Sequence, residues 1–343
     1  MRTLVTGATG FLGGHVVDAL RARGDVVRAL VRPRSDTARL RACGDVEFVE
    51  GDLGDKAGLA AAAAGVDVVV HAAARVGERG AHADFVADNV IGTEHLLDAA
   101  RRAGVRRFVF VSSPSVVGID ADQIDVDERA PYPRRFLNAY SETKAIAEQR
   151  VLAAHASDFT TCALRPRAVW GPRDRTGFLP TLVDRLRRGR LPDLSGGRVV
   201  RASLTFCTNA ADAIVAATTA PAVGGRVYFV ADDEPVDVWA FLHRLAAHFG
   251  APPITRRVSP DRVRPLVHVV DALWRFPPVA RWRAPPLSRY ALALLTRTST
   301  FDVTAARRDL DFLSRVDLTT GLQRLTTWIE QSGGVGHFVR DVR

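Results

Sequence analysis

A strand-like run that breaks on three spaced glycines and resumes as a helix leaves a chain few folds to choose from. Here that run is "RTLVTGATGFLGGHVVDAL", with Gly7, Gly10 and Gly13 between an apolar strand pattern and an amphipathic helix pattern. The first glycine of such a turn removes Cβ clashes and the second lets the backbone approach a pyrophosphate. The third lets helix and strand pack closely, with the anion at the helix N-terminus. The pattern predicts a dinucleotide site formed by Gly7, Thr9, Gly10, Phe11, Leu12 and Gly13. A glycine pattern alone is weak, and its place in a series of βα units is what makes it informative.

That series follows at once. "RTLVT", "VVRALV", "VEFVE", "VDVVVH", "RRFVFVSS" and "TTCALR" are near-continuously apolar rather than alternating. Strands buried on both faces of a parallel sheet read this way. Helical patterns lie between them, near 11–22, 35–42, 56–63, 82–103 and 138–156. The repeated order predicts an α/β chain, a doubly wound, mostly parallel Rossmann sheet with right-handed crossovers. After Arg165 the order breaks: "WGPRD", "RLPDLSGGR" and "APPITRRVSP" read as loops, and "PVDVWAFLHRLAAHFG" as a helix ended by Gly250. Residues 1–165 are expected to form the dinucleotide-binding domain and 166–343 a smaller, irregular substrate domain. A strand and helix near 205–230, including "GRVYFV", are expected to rejoin the sheet.

Length and composition set outer limits. At roughly 150 residues per domain, the 343 residues suggest two domains. An apolar content of 47% and a charged content of 25%, with no uninterrupted run of about 18 apolar residues, predict a soluble or peripheral protein. The first residues lack a signal peptide's apolar core, so a cytoplasmic location is expected. Cys43, Cys162 and Cys207 are odd in number and share no metal-like spacing; they read as packing residues, and no metal site is predicted. The net charge of +9 comes from scattered arginines without a nucleic-acid-binding signature, so no nucleic-acid partner is expected.

The end of the second strand, "VVRALVRPRS", carries Arg32 and Arg34 and no acid. A carboxylate there would suit the ribose hydroxyls of NAD, whereas forked guanidiniums suit the 2′-phosphate of NADP. The alternative is that both arginines are solvated surface. Asp52, followed by Leu53, comes after the third strand, where its carboxylate would accept from the adenine amine or cap the next helix.

Only two of the 47 Lys and Arg residues are lysine, and one of them is Lys144, four residues after Tyr140 in "NAYSETKAIAEQR". On a helix the two share a face. A compact ammonium stabilises phenolate and lowers the phenol's pKa toward neutrality, and it also binds a ribose hydroxyl, which a broad guanidinium does less well. In isolation the pair reads more readily as an ordinary exposed Tyr and Lys on one helix. "FVFVSSPSVVG" adds Ser112 and Ser113 at the carboxyl end of the fifth strand, in the crevice where open α/β sheets bind ligands.

With the glycine loop, the serines and Tyr-x-x-x-Lys in order, the chain resembles the extended short-chain dehydrogenase/reductases over essentially its whole length. "TKAIAEQRVLAA", "ALRPRAVWGPRD", "APPLSRYALALL" and "TAARRDLDF" look like the 3β-hydroxysteroid dehydrogenase branch, especially bacterial 2-alkyl-3-oxoalkanoate reductases. The resemblance implies that Ser113, Tyr140 and Lys144 are catalytic, with Ser113 favoured over Ser112 because it precedes "SVVG" by the usual two positions. It implies a place near the nicotinamide end for Asn89 of "DNVIGT"; a buried packing role is the alternative. It further implies that Ala72, Ala73 and Ala74 of "VVHAAARV" line the cofactor, with His71 structural. Thr208 of "TFCTN" departs from the pattern, where relatives often carry Asp, which puts the anchoring of that loop in doubt.

The expected activity is NADP-dependent reduction of a ketone, or oxidation of the secondary alcohol, on a bulky apolar substrate of β-keto acyl type. A nucleotide-sugar epimerase or dehydratase and a non-catalytic NADP sensor are the rivals. Pro114 and Ser115 stand where dehydratases carry an acidic pair, and Arg165 is followed by Pro166, Arg167 and Ala168 without the epimerases' Asn. A sensor would tend to lose Tyr140 and Lys144. Residues 263–295, with two Pro-Pro pairs, Trp274, Phe276 and Trp282, are expected to form a lid over an apolar substrate; packing as scaffold or weak contact with a membrane surface are alternatives. The reading leaves room for a homodimer.

Overall fold

The apolar runs become strands because each can be covered from both sides. The computed structural model describes residues 1–175, 177–274, 276–282, 285 and 287–339. Its main sheet contains β1 (Arg2–Thr6), β2 (Val26–Val31), β3 (Val46–Glu50), β4 (Val68–His71), β5 (Arg107–Val111), β6 (Thr160–Pro166) and β7 (Arg226–Val230). Their order is β7-β6-β5-β4-β1-β2-β3, and every neighbouring pair is parallel. The order reverses between β1 and β4, which opens a crevice at their carboxyl ends.

Helices Phe11–Ala22, Cys207–Ala217 and Thr304–Leu310 cover one face of the sheet with Val16, Leu20, Ile214 and Leu310. Lys56–Ala63, Gly92–Arg102 and Ala139–Ala153 cover the other with Leu59, Leu96, Ala147 and Val151. The helical pattern over 82–103 is three consecutive pieces: His82–Phe85, a π-turn at Val86–Ile91 and Gly92–Arg102. The wide turn carries Asn89 into the interior. The pattern near 35–42 is helical only over Ala38–Ala42, after Asp36 accepts from the Ala38 amide.

A second core fills the C-terminal half, around Trp170, Phe206, Trp239, Leu242 and Leu325, beneath helices Phe178–Arg187, Val238–His248 and Leu318–Gln331. One late strand, β7, returns to the main sheet. A separate four-stranded sheet joins Gln123–Val126, Arg201–Ala202, Val236–Asp237 and Ser299–Phe301. No sequence pattern announced it, because strands of two to four residues are too short to show a period. The loop put in doubt by Thr208 is anchored by the next residue: Asn209 Nδ2 donates to Asp232 Oδ1 (2.7 Å) and Val316 O (2.9 Å). Cys162 and Cys207 are buried thiols and Cys43 is half-buried. Among the described residues no helix is long and apolar enough to cross a membrane.

Candidate active site

The glycine loop brings three backbones together at the crevice. Gly7 sits at φ +72°, and a Cβ on it would lie 2.7 Å from the Ala73 amide nitrogen, so this turn requires glycine sterically and conformationally. A Cβ on Gly13 would lie 2.1 Å from the Gly7 carbonyl oxygen, which fixes how closely helix Phe11–Ala22 approaches β1. That helix begins at Gly10 with no side-chain cap and no acidic residue in its first turn. Its leading N–H groups and the positive end of its dipole are therefore left to an anion. Thr9 is exposed, and Phe11, Leu12, Ala72, Ala73 and Ala74 are half-buried around the same opening. A dinucleotide's diphosphate fits this cradle.

Arg32 and Arg34 are exposed at the end of β2. Asp52 Oδ1 accepts from the amides of Gly54 (2.7 Å) and Asp55 (3.1 Å), closing a turn. The cap of helix Lys56–Ala63 is Asp55, three residues on, so the capping alternative for Asp52 does not hold. Leu53 is half-buried against Gly92, and its carbonyl oxygen lies 3.1 Å from His95 Nδ1.

Helix Ala139–Ala153 starts at Asn138, whose Oδ1 accepts from the Ser141 amide at 2.8 Å. Its first turns carry Tyr140, Lys144 and Glu148 at intervals of four, so all three share a face. Only 2% of Lys144 is exposed: its Nζ donates to the Val111 carbonyl at 2.6 Å and lies 3.8 Å from the centre of the Phe110 ring. Burial pulls its pKa down to about 7, against the opposing charge of Glu148. Tyr140 is half-buried and hydrogen-bonded to Ser113. Burial, helped by the neighbouring Tyr290 phenol, pushes its pKa up to about 12, while the Ser113 bond works the other way. The expected lowering by Lys144 is not found: its ammonium is turned onto the Val111 carbonyl.

Ser112 and Ser113 part company at the end of β5. Ser112 is buried and its hydroxyl has no hydrogen-bond partner among the described residues. Ser113 caps the short turn Pro114–Val117 and places its Oγ 3.0 Å from Ser115 Oγ, on the Tyr140 side. Ser115 in turn bonds Tyr290 from the C-terminal half. Beyond Tyr290 stand Glu78, held by Ser288 Oγ (2.8 Å) and the Asn138 side chain, and the buried Arg167. Ser115, Tyr290, Glu78, Ser288 and Arg167 were not singled out as site residues by sequence reasoning. The one signal for Tyr290 was its place in "APPLSRYALALL".

Asn89 is fully engaged. Its Oδ1 accepts from the Arg75 amide (2.7 Å), and its Nδ2 donates to the Arg75 carbonyl (3.1 Å) and Thr143 Oγ1 (3.1 Å). It thereby ties the segment after β4 to the helix bearing Tyr140 and Lys144. His71 bridges Thr6 (2.7 Å) and Thr93 (2.9 Å), and burial next to Lys144 lowers its pKa to about 3. It is neutral at physiological pH.

The 263–295 segment folds as helices Pro260–Trp274, Pro277–Trp282 and Arg289–Thr296; Arg275, Arg283, Ala284 and Pro286 lie outside the described residues. It docks on the loop after β4: the Gly80 amide donates to the Ala280 carbonyl (2.9 Å), and Arg281 pairs with Asp84 (3.0 Å). This docking brings Tyr290 over the crevice.

The family profile described as 3-beta hydroxysteroid dehydrogenase/isomerase matches residues 4–258. The chain is 39% identical over 337 residues to a 4-hydroxy-2-methyl-3-oxo-4-farnesyl-3,4-dihydroquinoline-1-oxide ketoreductase from Stigmatella aurantiaca, covering 98% of both. It is 36% identical over 338 residues to a 2-alkyl-3-oxoalkanoate reductase from Stenotrophomonas maltophilia strain K279a, covering 95% of this chain and 98% of the relative. Among solved structures, gox2253 superposes with a TM-score of 0.79 at 27% identity, over 96% of this chain and 98% of that one. MoeE5 in complex with UDP-glucose and NAD superposes with a TM-score of 0.74 at 27% identity, over 97% and 99%.

Proposed function

The chain belongs to the 3-beta hydroxysteroid dehydrogenase/isomerase family, within the extended short-chain dehydrogenase/reductases, and from that premise we propose that it is an NADP-dependent ketoreductase of bulky apolar 2-alkyl-3-oxoalkanoate-type substrates. That it is an oxidoreductase served by a nicotinamide dinucleotide is the broader statement on which this rests. The observation that carries the proposal is the contact of Tyr140 with Ser113, with Lys144 one turn behind it and Tyr290 closing over it. Both relatives' names describe a 3-oxo group beside a substituted carbon. No acidic pair follows Ser113 to support a sugar dehydratase.

The dinucleotide, when bound, supplies the hydride; the chain manages the proton. Ser113 and Tyr140 donate hydrogen bonds to the ketone oxygen and orient it. Tyr140, protonated at neutral pH because burial holds its pKa up, gives its phenolic proton to the developing alkoxide. Lys144, when protonated, supports the resulting phenolate from the same helix face and is placed to hold a ribose hydroxyl. Asn89 acts by positioning: it holds the Arg75 backbone against Thr143 and with it the wall that Ala72, Ala73 and Ala74 give the cofactor. Arg32, and with it Arg34, would hold the 2′-phosphate of NADP.

Two measurements test this. Dinucleotide oxidation is followed with β-keto esters of increasing chain length below their micellar concentrations. With a buried CH₂ contributing about 0.8 kcal/mol, kcat/KM should rise several-fold for every two carbons until the cleft is filled. A flat series would reject the apolar substrate and leave residues 263–295 as scaffold. In the second, Arg32→Asp should weaken NADPH by about 10- to 100-fold, the range for a charge-assisted bond, and leave NADH much less changed. Equal use of both dinucleotides by the wild type would return both arginines to solvated surface.

A further inference from the structure

Arg167 immediately follows β6, at the carboxyl end of the sheet where the crevice opens. Its main chain is fixed: the amide donates to the Val230 carbonyl (3.0 Å) and to Thr205 Oγ1 (3.1 Å). Its side chain is not balanced in the same way. Only 9% of the residue is exposed, its Nε has no hydrogen-bond partner, and among the described residues no carboxylate forms an ion pair with it. Two residues earlier Arg165, also buried, is matched by both oxygens of Glu148. A guanidinium taken out of water without a counter-charge is costly, and chains seldom leave one uncompensated.

Its neighbours do not supply that charge. The titratable group facing it is the Tyr290 phenol, itself held protonated by burial. Glu78, on the other side of Tyr290, is committed to Ser288 and Asn138. Hydrogen bonds nevertheless run from Tyr290 through Ser115 and Ser113 to Tyr140, and the Arg167 charge is felt at the Tyr290 phenol. Because β5 and β6 end side by side, this cation stands at the same end of the sheet as the hydroxyls that grip the ketone.

We propose that Arg167 binds the carboxylate of the substrate, so that the enzyme prefers free 2-alkyl-3-oxoalkanoates and their 3-hydroxy products to the corresponding esters or thioesters, which it still turns over. This rests on the substrate class proposed above and adds the residue that selects among its forms. In such an acid the keto and carboxyl carbons flank a single carbon. A carboxylate forked on Arg167 therefore holds the ketone in one orientation toward Ser113 and Tyr140, with the alkyl branch on the carbon between. The substrate supplies the missing counter-charge, and a neutral ester leaves the guanidinium unpaired.

The test uses a stable pair, a 2-alkyl-3-hydroxyalkanoic acid and its methyl ester, oxidised with the dinucleotide by the wild type, Arg167→Met and Arg167→Lys. The wild type should favour the acid. Arg167→Met should lose about 30-fold or more in kcat/KM on the acid and stay within about three-fold on the ester, with Arg167→Lys between. A saturated 2-alkyl acid without the hydroxyl should inhibit wild-type ester oxidation competitively at least about ten-fold better than its own methyl ester, a reading independent of any variant's folding. Equal losses on acid and ester, or a wild type indifferent to the carboxylate, would overturn the assignment of Arg167 and leave the ketoreductase reading standing. A wild type that oxidises neither compound but turns over a 3β-hydroxysteroid would overturn both.

Discussion

Tyr140→Phe should lower turnover by at least about 100-fold while dinucleotide affinity stays within a few-fold of the wild type, because the change removes one phenolic proton and little volume. Near wild-type turnover in this variant would remove Tyr140 from the chemistry altogether. The pH dependence carries a second signature. In ketone reduction Tyr140, with its pKa pushed up to about 12, stays protonated throughout the working range and sets no limit there. Lys144, pulled down to about 7 by burial, loses its charge as pH rises through neutrality and with it the support for phenolate. Accordingly kcat/KM for reduction should be level below pH 7 and fall above it. Lys144→Met should be slow at every pH and lack this step. A wild-type profile flat to about pH 9 would show that the Lys144 charge is not used.

Glu148→Gln should be the most destabilising single change on this helix. Glu148 and Arg165 are 0% and 2% exposed, paired at 2.6 and 3.0 Å, and Tyr132 donates to the same carboxylate at 2.7 Å. Neutralising the acid leaves a buried guanidinium without its counter-charge, a loss of about 3 to 5 kcal/mol. The melting temperature should drop on the order of 5 to 15 °C, read by calorimetry or circular dichroism. Glu148→Met combined with Arg165→Met should recover most of that loss, since the pair removed together leaves no orphaned charge. If Glu148→Gln melts within about one degree of the wild type, the network is solvated rather than structural. Glu148 lies one turn beyond Lys144, so the network ties the helix that carries Tyr140 and Lys144 to β6.

What the sequence determined by itself are the features whose physics is local. A glycine at φ +72° and a helix begun without a cap are written into "VTGATGFLGG", because each depends on residues a few positions away. The six apolar runs declared themselves as parallel strands because burial on both faces leaves no polar alternation. Tyr140 and Lys144 were legible as a pair because four residues on a helix is one turn. Even so, spacing put the ammonium on the right face without saying what it would touch. Whether it met the phenol or the Val111 carbonyl was settled by how deeply β5 and the helix pack together.

The tertiary structure alone decided the rest. Glu78, Ser115, Arg167 and Tyr290 carry no mutual spacing signal; they meet because the 277–296 helices dock on the loop after β4 while β5 and β6 end side by side. Arg165 and Arg167 are two residues apart in one "RPR" run and look alike as sequence. One finds the Glu148 carboxylate on the helix packed against the sheet, and the other finds none among the described residues. A side chain's type limits which partners satisfy it, but which partner is within reach is a property of packing between segments far apart in the chain.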